Sequence, residues 1–372
     1  MGDLTKELSD YATMASGLPL LTSSRSGLMY QSDFRDRKTT TSDETLFSIV
    51  PKGSCTYRHM SDDDIFHLNI NVLEKGLVSR EYPVFISSED NDLEFIIQHI
   101  NSSDRFRGFC KGQKKGGTRT RLYYKTLCEF EMMTPLIEEQ KKISATLHNL
   151  DHLITLHQRK CEQTKTLKKY MLQKMFPQDG EKVPQIRFEG FTEDWEQRKL
   201  GDIATFINGR AYSQEELLSS GKYKVLRVGN FYTNDSWYYS DMELEDKYYA
   251  EEGDLLYTWS ATFGPHIWHG DKIIYHYHIW KVELSDTLEK HFAVQLLEKD
   301  KQSILSDKNG STMVHITKAG MESKEVMLPP NIREQAEIGK YLQNIDHLIT
   351  LHQRKCDELK EVKKFMLQNM FV

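Results

Sequence analysis

The residues best suited to chemistry in this 372-residue sequence form a basic segment at positions 105–125. It contains eight basic residues and no acidic one: Arg105, Arg107, Lys111, Lys114, Lys115, Arg119, Arg121 and Lys125. Four glycines predict a loop that a partner can approach closely, and aromatic residues and Thr118 lie among the charges. Such side chains bind phosphates, and arginine can donate two hydrogen bonds to guanine. Because the net charge of the chain is −6, this local excess predicts a nucleic-acid contact. The alternative is a solvated run of charges.

The second half of the sequence offers weaker candidates for reading base edges. Four lie in strand-like runs that end in polar and aromatic loops: Arg227, Asn230, Tyr257 and Trp259. Three more lie in the short polar run KNGSTMVHIT: Ser311, Thr312 and His315. Each is also an ordinary strand or turn residue, so the sequence indicates a surface here and does not single out one contact.

Histidines at 266, 269, 276 and 278 are candidates for a metal site. Two histidines at positions i and i+2 lie on one face of a strand and could hold zinc. No carboxylate or cysteine at ligand spacing completes a set, and IIYHYHIW is typical of an aromatic-rich strand. We therefore expect packing or surface roles and no metal.

Catalytic motifs are not found in the sequence. It has no phosphate-binding loop, dinucleotide fingerprint or nucleophile elbow, and no Asn/Asp-Pro-Pro-aromatic motif of amino-methyltransferases. The sequence therefore predicts a protein without catalytic activity of its own.

A long internal repeat must position the candidate residues. DHLITLHQRKC occupies positions 151–161 and again 346–356, and flanking identities keep the same 195-residue offset. Apolar residues step by four and three, as in the seam of a coiled coil: Ile143, Leu147, Leu150 and Ile154, then Ile338, Leu342, Ile345 and Ile349. This spacing predicts two helices of ~40 residues. Either the two helices pair antiparallel, which we prefer, or each packs only on its own domain.

The repeat divides the chain into two similar halves. We predict a first recognition domain at 1–131, a helix within 132–178, a second domain at 179–328 and a helix within 329–372. The segment 183–199 precedes the second domain and has no counterpart before Met1. We therefore expect the first domain to be short at its N-terminus.

Composition places the chain in a cytoplasmic class. No apolar run approaches the ~18 residues of a membrane helix. Five cysteines are widely spread without a C-x-x-C, which favours reduced thiols.

Taken together, these features resemble the specificity (S) subunits of Type I restriction-modification enzymes. The features that match are the E-E-Q run at 138–140, the two D-x-L-I-T-L-H-Q-R-K runs, the RFEGF-x-x-x-W opening at 187–195 and the G-S-T turn at 310–312. The resemblance covers nearly the whole chain.

The resemblance implies an α+β fold with pseudo-two-fold symmetry. Two α/β target recognition domains would alternate with two long helices that pair as an antiparallel coiled coil. Each domain would read one half of a bipartite, asymmetric DNA sequence, and the helices would set the half-site spacing and dock two modification subunits. Those partners would bind S-adenosylmethionine, and restriction subunits would use ATP and Mg²⁺. The alternatives are a truncated or orphan subunit without full modification activity, and a coiled-coil scaffold for other proteins.

Overall fold

The structure is a computed structural model that describes residues 1–34, 44–114, 116, 118–178, 180–232, 234–260, 262–306 and 316–371. The chain divides into two compact units. Unit 1 comprises Met1–His157 with Lys355–Val372, and unit 2 comprises Gln158–Arg354. Both contain helices and sheets, which confirms the mixed fold class predicted from the sequence.

Unit 1 is built on short antiparallel sheets. Its strands are β1 (Thr5–Glu7), β2 (Tyr11–Ala12), β3 (Leu21–Ser24), β4 (Gly27–Tyr30), β5 (Phe47–Val50), β6 (Cys55–Thr56), β7 (Met60–Ser61), β8 (Asn69–Ile70), β9 (Gly76–Ser79), β10 (Val84–Ser87) and β11 (Thr120–Arg121). Its short helices are α1 (Gln31–Phe34), α2 (Leu93–Ser102), α3 (Asp104–Gly112) and α4 (Tyr124–Leu127). The largest sheet has the order β1-β10-β6-β8. The apolar side of α2 and the buried Phe85 of β10 belong to one core.

A long helix, α5 (Ile137–Lys174), follows and contributes residues to both units. Unit 2 then adds the strands β12 (Glu196–Lys199), β13 (Ala204–Asn208), β14 (Tyr223–Leu226), β15 (Tyr238–Ser240), β16 (Tyr249–Ala250), β17 (Leu255–Thr258), β18 (Gly264–Ile267), β19 (Ile273–Tyr275), β20 (Ile279–Leu284) and β21 (Glu325–Leu328). Its helices are α6 (Leu200–Ile203), α7 (Lys290–Ser306) and α8 (Lys318–Glu322). Two four-stranded sheets have the orders β13-β20-β17-β18 and β15-β14-β19-β16, and β12 pairs with β21.

The last element is the second long helix, α9 (Ile332–Asn369). Both long helices lie within the ranges predicted from the repeat. In unit 1, Asp151 of α5 accepts hydrogen bonds from Lys363 of α9 at 2.6 and 2.7 Å, and Ile154 clusters with Leu359. As the residue number increases along α5, the number of the contacting residue on α9 decreases, as in an antiparallel pair.

The same helix contact recurs within unit 2. Lys168 of α5 donates to Asp346 of α9 at 2.5 Å, and Cys161 lies 3.8 Å from the Oε1 atom of Gln353. Position 346 repeats position 151, and position 363 repeats position 168. The two ion pairs are therefore one contact made twice, with the roles of the helices exchanged.

Most of the predicted helix seam is buried. The exposed fraction is at most 8% for Ile143, Leu147, Ile154, Ile338, Leu342 and Ile345, and Leu150 and Ile349 are partly buried. In unit 2 the seam shares a core with Leu172 of α5 and with Phe292 of α7. The seam thus packs on the other long helix and also on the globular part, so the two alternatives drawn from the sequence are not exclusive.

One glycine of α9 fixes how close α7 comes. A Cβ atom at Gly339 would lie 2.5 Å from the backbone nitrogen of Phe292 and 2.8 Å from the carbonyl carbon of His291. Both obstacles are backbone atoms, so a side chain at this position would push α7 away. The equivalent position of α5 carries Ser144.

Candidate nucleic-acid interface

The basic segment of unit 1 is not one loop. Its first part is α3, which begins after Ser103, whose side chain accepts a hydrogen bond from the Phe106 nitrogen at 3.1 Å. Phe106 and Cys110 are buried one turn apart, and Phe106 packs 5.1 Å from the ring of Phe130. The prediction of a Gly-rich loop is therefore wrong for this part. The exposed basic residues of the helix are Arg105, Arg107 and Lys111.

Carboxylates outside the basic segment offset part of its positive charge. Arg107 pairs with the neighbouring Asp104 at 2.9 Å. Two further pairs join residues that are distant in sequence: Lys114 with Asp64 (3.7 Å) and Arg119 with Asp62 (2.7 Å). The local charge at this surface is thus lower than the basic run suggests. Exposed ion pairs contribute only about 0–1 kcal/mol, so a phosphate can compete with these carboxylates.

Two cations of unit 1 near His59, Arg58 and Arg121, have no carboxylate partner among the described residues. Arg121 lies in β11, and both it and Arg58 are exposed. Burial lowers the pKa of His59, the Glu81 carboxylate raises it, and Arg121 and Arg58 lower it further. The Tyr123 ring stacks 5.5 Å from His59 and is 48% exposed. Two arginines and an open aromatic face make this cluster the strongest candidate in unit 1.

The other predicted contacts of the first half are less informative. Thr118 is exposed, and the Arg105 guanidinium lies 5.8 Å from the ring centroid of Phe130. Predicted contacts that lie outside the described residues are Lys115, Ser311, Thr312 and His315.

In unit 2, Arg227 and Asn230 organise a turn at the end of β14. The Arg227 guanidinium lies 4.2 Å from the ring centroid of Tyr238 and donates to the Ser236 carbonyl at 3.4 Å. Asn230 accepts from the Arg227 nitrogen at 3.1 Å and donates to the carbonyls of Asn234 and Ser236. The amide of Asn230 therefore holds the turn. Arg227, which has no carboxylate partner among the described residues, remains a candidate for DNA contact.

The two aromatic candidates of unit 2 differ in access. Tyr257 is fully buried and stacks against Trp280 at 5.8 Å, so its prediction as a base contact is wrong for this conformation. Trp259 is partly exposed, and its indole N–H donates to the Tyr277 carbonyl at 2.9 Å. Only Trp259 retains an accessible face.

The histidine-rich run is two strands joined by a turn. Strands β19 and β20 flank His276, Tyr277 and His278, and the two imidazole rings are 5.0 Å apart. The prediction of one continuous strand is therefore wrong. Burial lowers the pKa of His276 to about 4, with smaller contributions from His278 and Arg227. This ring is neutral at pH 7 and can both donate and accept a hydrogen bond. In the described part of the chain, no cluster of three or more His, Cys, Asp or Glu residues is placed to hold a metal ion.

Lys224 is a candidate that reasoning from sequence missed. Its ammonium lies 5.5 Å from the ring centroid of Trp237, and no described carboxylate pairs with it. The neighbouring Lys222 pairs with Glu243 instead. Lys224 lies in β14 and Arg227 directly follows it, whereas their aromatic partners Trp237 and Tyr238 lie at the start of β15. Only the pairing of these two strands brings the partners to the cations, so no local sequence signal marks the site.

The long helices expose apolar residues at repeated positions. The pairs and their exposed fractions are Leu153 (40%) with Leu348 (46%), Leu167 (42%) with Val362 (47%), and Tyr170 (48%) with Phe365 (66%). Each pair is separated by the repeat offset of 195 residues. The seam residues predicted for partner docking are largely buried, so a partner would meet this exposed set instead.

A long helix present in two copies and two mixed globular regions define a class of proteins built from two similar halves. The family model for the Type I restriction modification DNA specificity domain matches residues 69–166 and 192–361. The chain therefore belongs to this family.

Two curated relatives come from Methanocaldococcus jannaschii. The Type I restriction enzyme MjaVIII specificity subunit is 28% identical over 48% of this chain and 42% of the relative. The putative type I restriction enzyme MjaX specificity subunit is 23% identical over 73% of this chain and 65% of the relative. The matched stretches thus span less than two thirds of either relative.

Solved structures share the fold at low sequence identity. The S subunit of a Type I restriction-modification system from M. genitalium has a TM-score of 0.62 and 15% identity, over 98% of this chain and 96% of that chain. A structure of the type I R-M system, solved to explain complex assembly and conformational transition, has a TM-score of 0.54 and 15% identity, over 100% and 96%. At this identity the likeness establishes the fold alone.

In the part of the chain that the structure describes, no helix combines the length and apolar character needed to span a bilayer.

Proposed function

We propose that this chain is the DNA-specificity subunit of a Type I restriction-modification complex. Unit 1 reads one half of a bipartite, asymmetric target and unit 2 reads the other. The observation that carries the proposal is the match of the specificity-domain family to both halves of the chain, each with its own copy of the repeated helix.

Each unit supplies a surface with the chemistry for DNA contact. In unit 1 the surface centres on Arg58, Arg121 and the exposed ring of Tyr123. In unit 2 it centres on Lys224 and Arg227. Arginine and lysine neutralise phosphates, arginine can also donate two hydrogen bonds to guanine, and aromatic rings contact bases or sugars.

The long helices act as spacer and docking element. Exposed apolar residues at matched positions, such as Leu153 and Leu348, give two copies of one surface. Two copies of one surface suit two identical partners, and we propose modification subunits for that role. Restriction subunits complete the assembly.

The chemistry then belongs to the partners. We propose that this chain is not catalytic and binds no cofactor, that modification subunits hold S-adenosylmethionine, and that restriction subunits use ATP and Mg²⁺. The truncated or orphan subunit and the protein-interaction scaffold are the competing functions, and we favour neither.

Methylation mapping tests the proposal. The chain is co-expressed with the modification subunit of its own system in a host free of adenine methylation, and modified adenines are mapped by sequencing. We expect one bipartite motif with a fixed gap. Arg121→Ala should weaken recognition of one half-site by about 1–3 kcal/mol if the arginine contacts guanine, and Arg227→Ala should affect the other half-site only.

Lys6→Ala is the matched control, because Lys6 is an exposed cation of unit 1 on β1 and outside the proposed surface. It should leave the motif unchanged. A stable complex that methylates no bipartite motif would support an orphan subunit. Equal losses at both half-sites would refute separate readers, and DNA affinity that is independent of salt would favour the scaffold.

A further inference from the structure

In unit 2, the turn between β19 and β20 presents three rings side by side. Its residues are His276, Tyr277 and His278. The ring centroids of Tyr277 and His278 are 3.8 Å apart, those of His276 and Tyr277 are 4.5 Å apart, and those of the two histidines are 5.0 Å apart. Tyr277 is 39% exposed, and both histidines are partly exposed. The turn therefore offers a compact aromatic surface to a partner.

Hydrogen bonds to neighbouring segments hold the backbone of this turn. The His276 nitrogen donates to the carbonyl of Leu226 at 2.9 Å. The carbonyls of Tyr277 and His278 accept from the indole and the backbone nitrogens of Trp259, at 2.9 and 3.2 Å. These backbone groups are used within the protein, so the side chains are what the turn has left to offer.

Residues 209 and 210 contact the turn from another side. The Arg210 carbonyl accepts from the Tyr277 nitrogen at 3.0 Å. A Cβ atom at Gly209 would lie 2.4 Å from the carbonyl oxygen of His276 and 2.6 Å from that of Tyr275, so the close approach requires glycine. A turn that is held on several sides loses little conformational freedom on binding, which favours specific recognition.

The polar atoms of the three rings are available for new hydrogen bonds. Among the described residues, none forms a hydrogen bond with the imidazoles of His276 and His278 or with the hydroxyl of Tyr277. Burial lowers the pKa of both histidines, so each imidazole is neutral at pH 7 and carries one donor and one acceptor. The turn thus combines uncharged donors and acceptors with an exposed ring.

Packing in the core does not account for the exposure of these rings. Trp259 connects the turn to the core, since its ring lies 5.1 Å from His278 and 5.8 Å from Trp280. Trp280 is 2% exposed, whereas Tyr277 keeps 39%. The turn is therefore supported by the core and is not part of it.

A cation lies beside the turn and has a different chemistry. Arg227 follows Leu226 directly, and its charge contributes to the low pKa of His276. In protein–DNA complexes, contacts with phosphates position the protein, whereas contacts with base edges specify the sequence. Arg227 suits the first of these roles, and the uncharged turn suits the second.

We propose that His276, Tyr277 and His278 contact base edges in the major groove and determine the sequence of the half-site that unit 2 reads. This role rests on the proposed function of the chain. A major groove about 12 Å wide admits a turn of this size. Because the rings lie within 5.0 Å of one another and base pairs are stacked about 3.4 Å apart, the turn spans about two adjacent base pairs.

Conservative variants of the turn, assembled with the modification subunit, test this role by methylation mapping. His276→Phe and His278→Phe keep a ring and remove its hydrogen-bonding groups, and Tyr277→Phe removes the hydroxyl alone. We expect discrimination to fall about 5–150-fold at one or two adjacent base pairs of the half-site that unit 2 reads. The other half-site and the gap should stay unchanged.

His269→Phe is the matched control. His269 is an exposed histidine in the connection that precedes β19, whereas the turn follows this strand. The substitution is the same as at the two histidines of the turn, but it lies at the other end of β19. It should leave both half-sites unchanged.

The salt dependence of duplex binding separates base contacts from charge. The three turn variants remove no cation at pH 7, so the slope of log K against log salt concentration should equal that of the natural chain. Arg227→Ala should instead make this slope shallower by about 0.9. Melting followed by tryptophan fluorescence shows whether unit 2 stays folded, since all five tryptophans lie in it. Tyr277→Phe changes one partly exposed hydroxyl and remains informative if a histidine variant is unstable.

The possible outcomes distinguish this role from the proposed function. A bipartite motif that all three variants leave unchanged, in complexes that fold and methylate, would overturn the role of the turn alone. Equal relaxation of both half-sites, or the same relaxation in His269→Phe, would also overturn it. The absence of any bipartite motif for the natural chain would refute the proposed function, and the role of the turn with it.

Discussion

The repeat allows the same substitution to be made at two equivalent positions, where different effects on stability are expected. Glu334→Gln removes the negative charge that faces Arg187, whose side chain is 11% exposed, while keeping the shape of the side chain. Glu139→Gln makes the same change at the repeated position, where the carboxylate is exposed. The two variants thus differ only in burial and partners.

The magnitude follows from the buried pair. Loss of one partner of a buried ion pair leaves an uncompensated charge, which costs about 3–5 kcal/mol. Because Arg187 keeps some solvent contact and can still donate to the Gln oxygen, we expect the lower end, about 3 kcal/mol. For a unit of the size of Gln158–Arg354 this corresponds to a Tm lower by about 6–12 °C. Glu139→Gln should change the free energy of unfolding by less than about 0.5 kcal/mol.

Tryptophan fluorescence is the appropriate assay. All five tryptophans of the chain lie in unit 2, at positions 195, 237, 259, 268 and 280, so this signal reports on the unfolding of that unit. The fluorescence melting curve should shift for Glu334→Gln. For Glu139→Gln, which lies in unit 1, melting followed by far-ultraviolet circular dichroism, to which the helices and sheets of both units contribute, should stay in place. Equal shifts for the two variants, or none for Glu334→Gln, would refute the reasoning that burial and pairing distinguish the two copies.

Two further predictions concern pH and charge. Burial lowers the folded pKa of His266 to about 4 from 6.5, so between these values the unfolded state binds more protons, and stability that is complete above pH 6.5 is lost as pH falls toward 4. In His266→Gln the slope of unfolding free energy with pH should therefore decrease by up to about 1.4 kcal/mol per pH unit. The control is His347→Gln, an exposed histidine of unit 2, which should keep the slope of the natural chain. Unchanged slopes for His266→Gln in urea melts monitored by tryptophan fluorescence would contradict this. Asp62→Asn removes the carboxylate that pairs with Arg119, so it should raise the affinity for duplex DNA and make the slope of log K against log salt concentration steeper by about 0.9. Asp90→Asn, at an exposed carboxylate, should change neither. Anisotropy titrations at several salt concentrations measure both quantities, and an unchanged slope for Asp62→Asn would contradict the prediction.

Helical periodicity made the long helices predictable from sequence. The apolar steps of Ile143, Leu147 and their repeats survive in the structure as buried seams, because a helix contact depends on local spacing that the sequence displays directly. Asp151 and Asp346 begin the two copies of the repeated phrase, so the sequence shows that they are equivalent. Their ion-pair partners depend on the antiparallel register of the two helices, which the sequence does not show.

The candidate site was harder to predict because it depends on distant pairings. Glycines at 108 and 112 suggested a loop, yet the burial of Phe106 and Cys110 one turn apart outweighs glycine's weak helix propensity. Asp62 lies 57 positions before its partner Arg119, so charge counting along the chain could not detect the compensation. The burial of Tyr257 depends likewise on packing between strands.

Gly339 limits which segments of this chain can be exchanged by recombination between the two copies of the repeat. A crossover within the eleven-residue phrase joins identical sequences and leaves the helix contacts unchanged. A crossover could instead replace the part of α9 that precedes the phrase with the corresponding part of α5. Ser144 would then take the place of Gly339, where a Cβ atom lies 2.5 Å from the backbone of α7. This close packing therefore survives recombination only where Gly339 and α7 are inherited together.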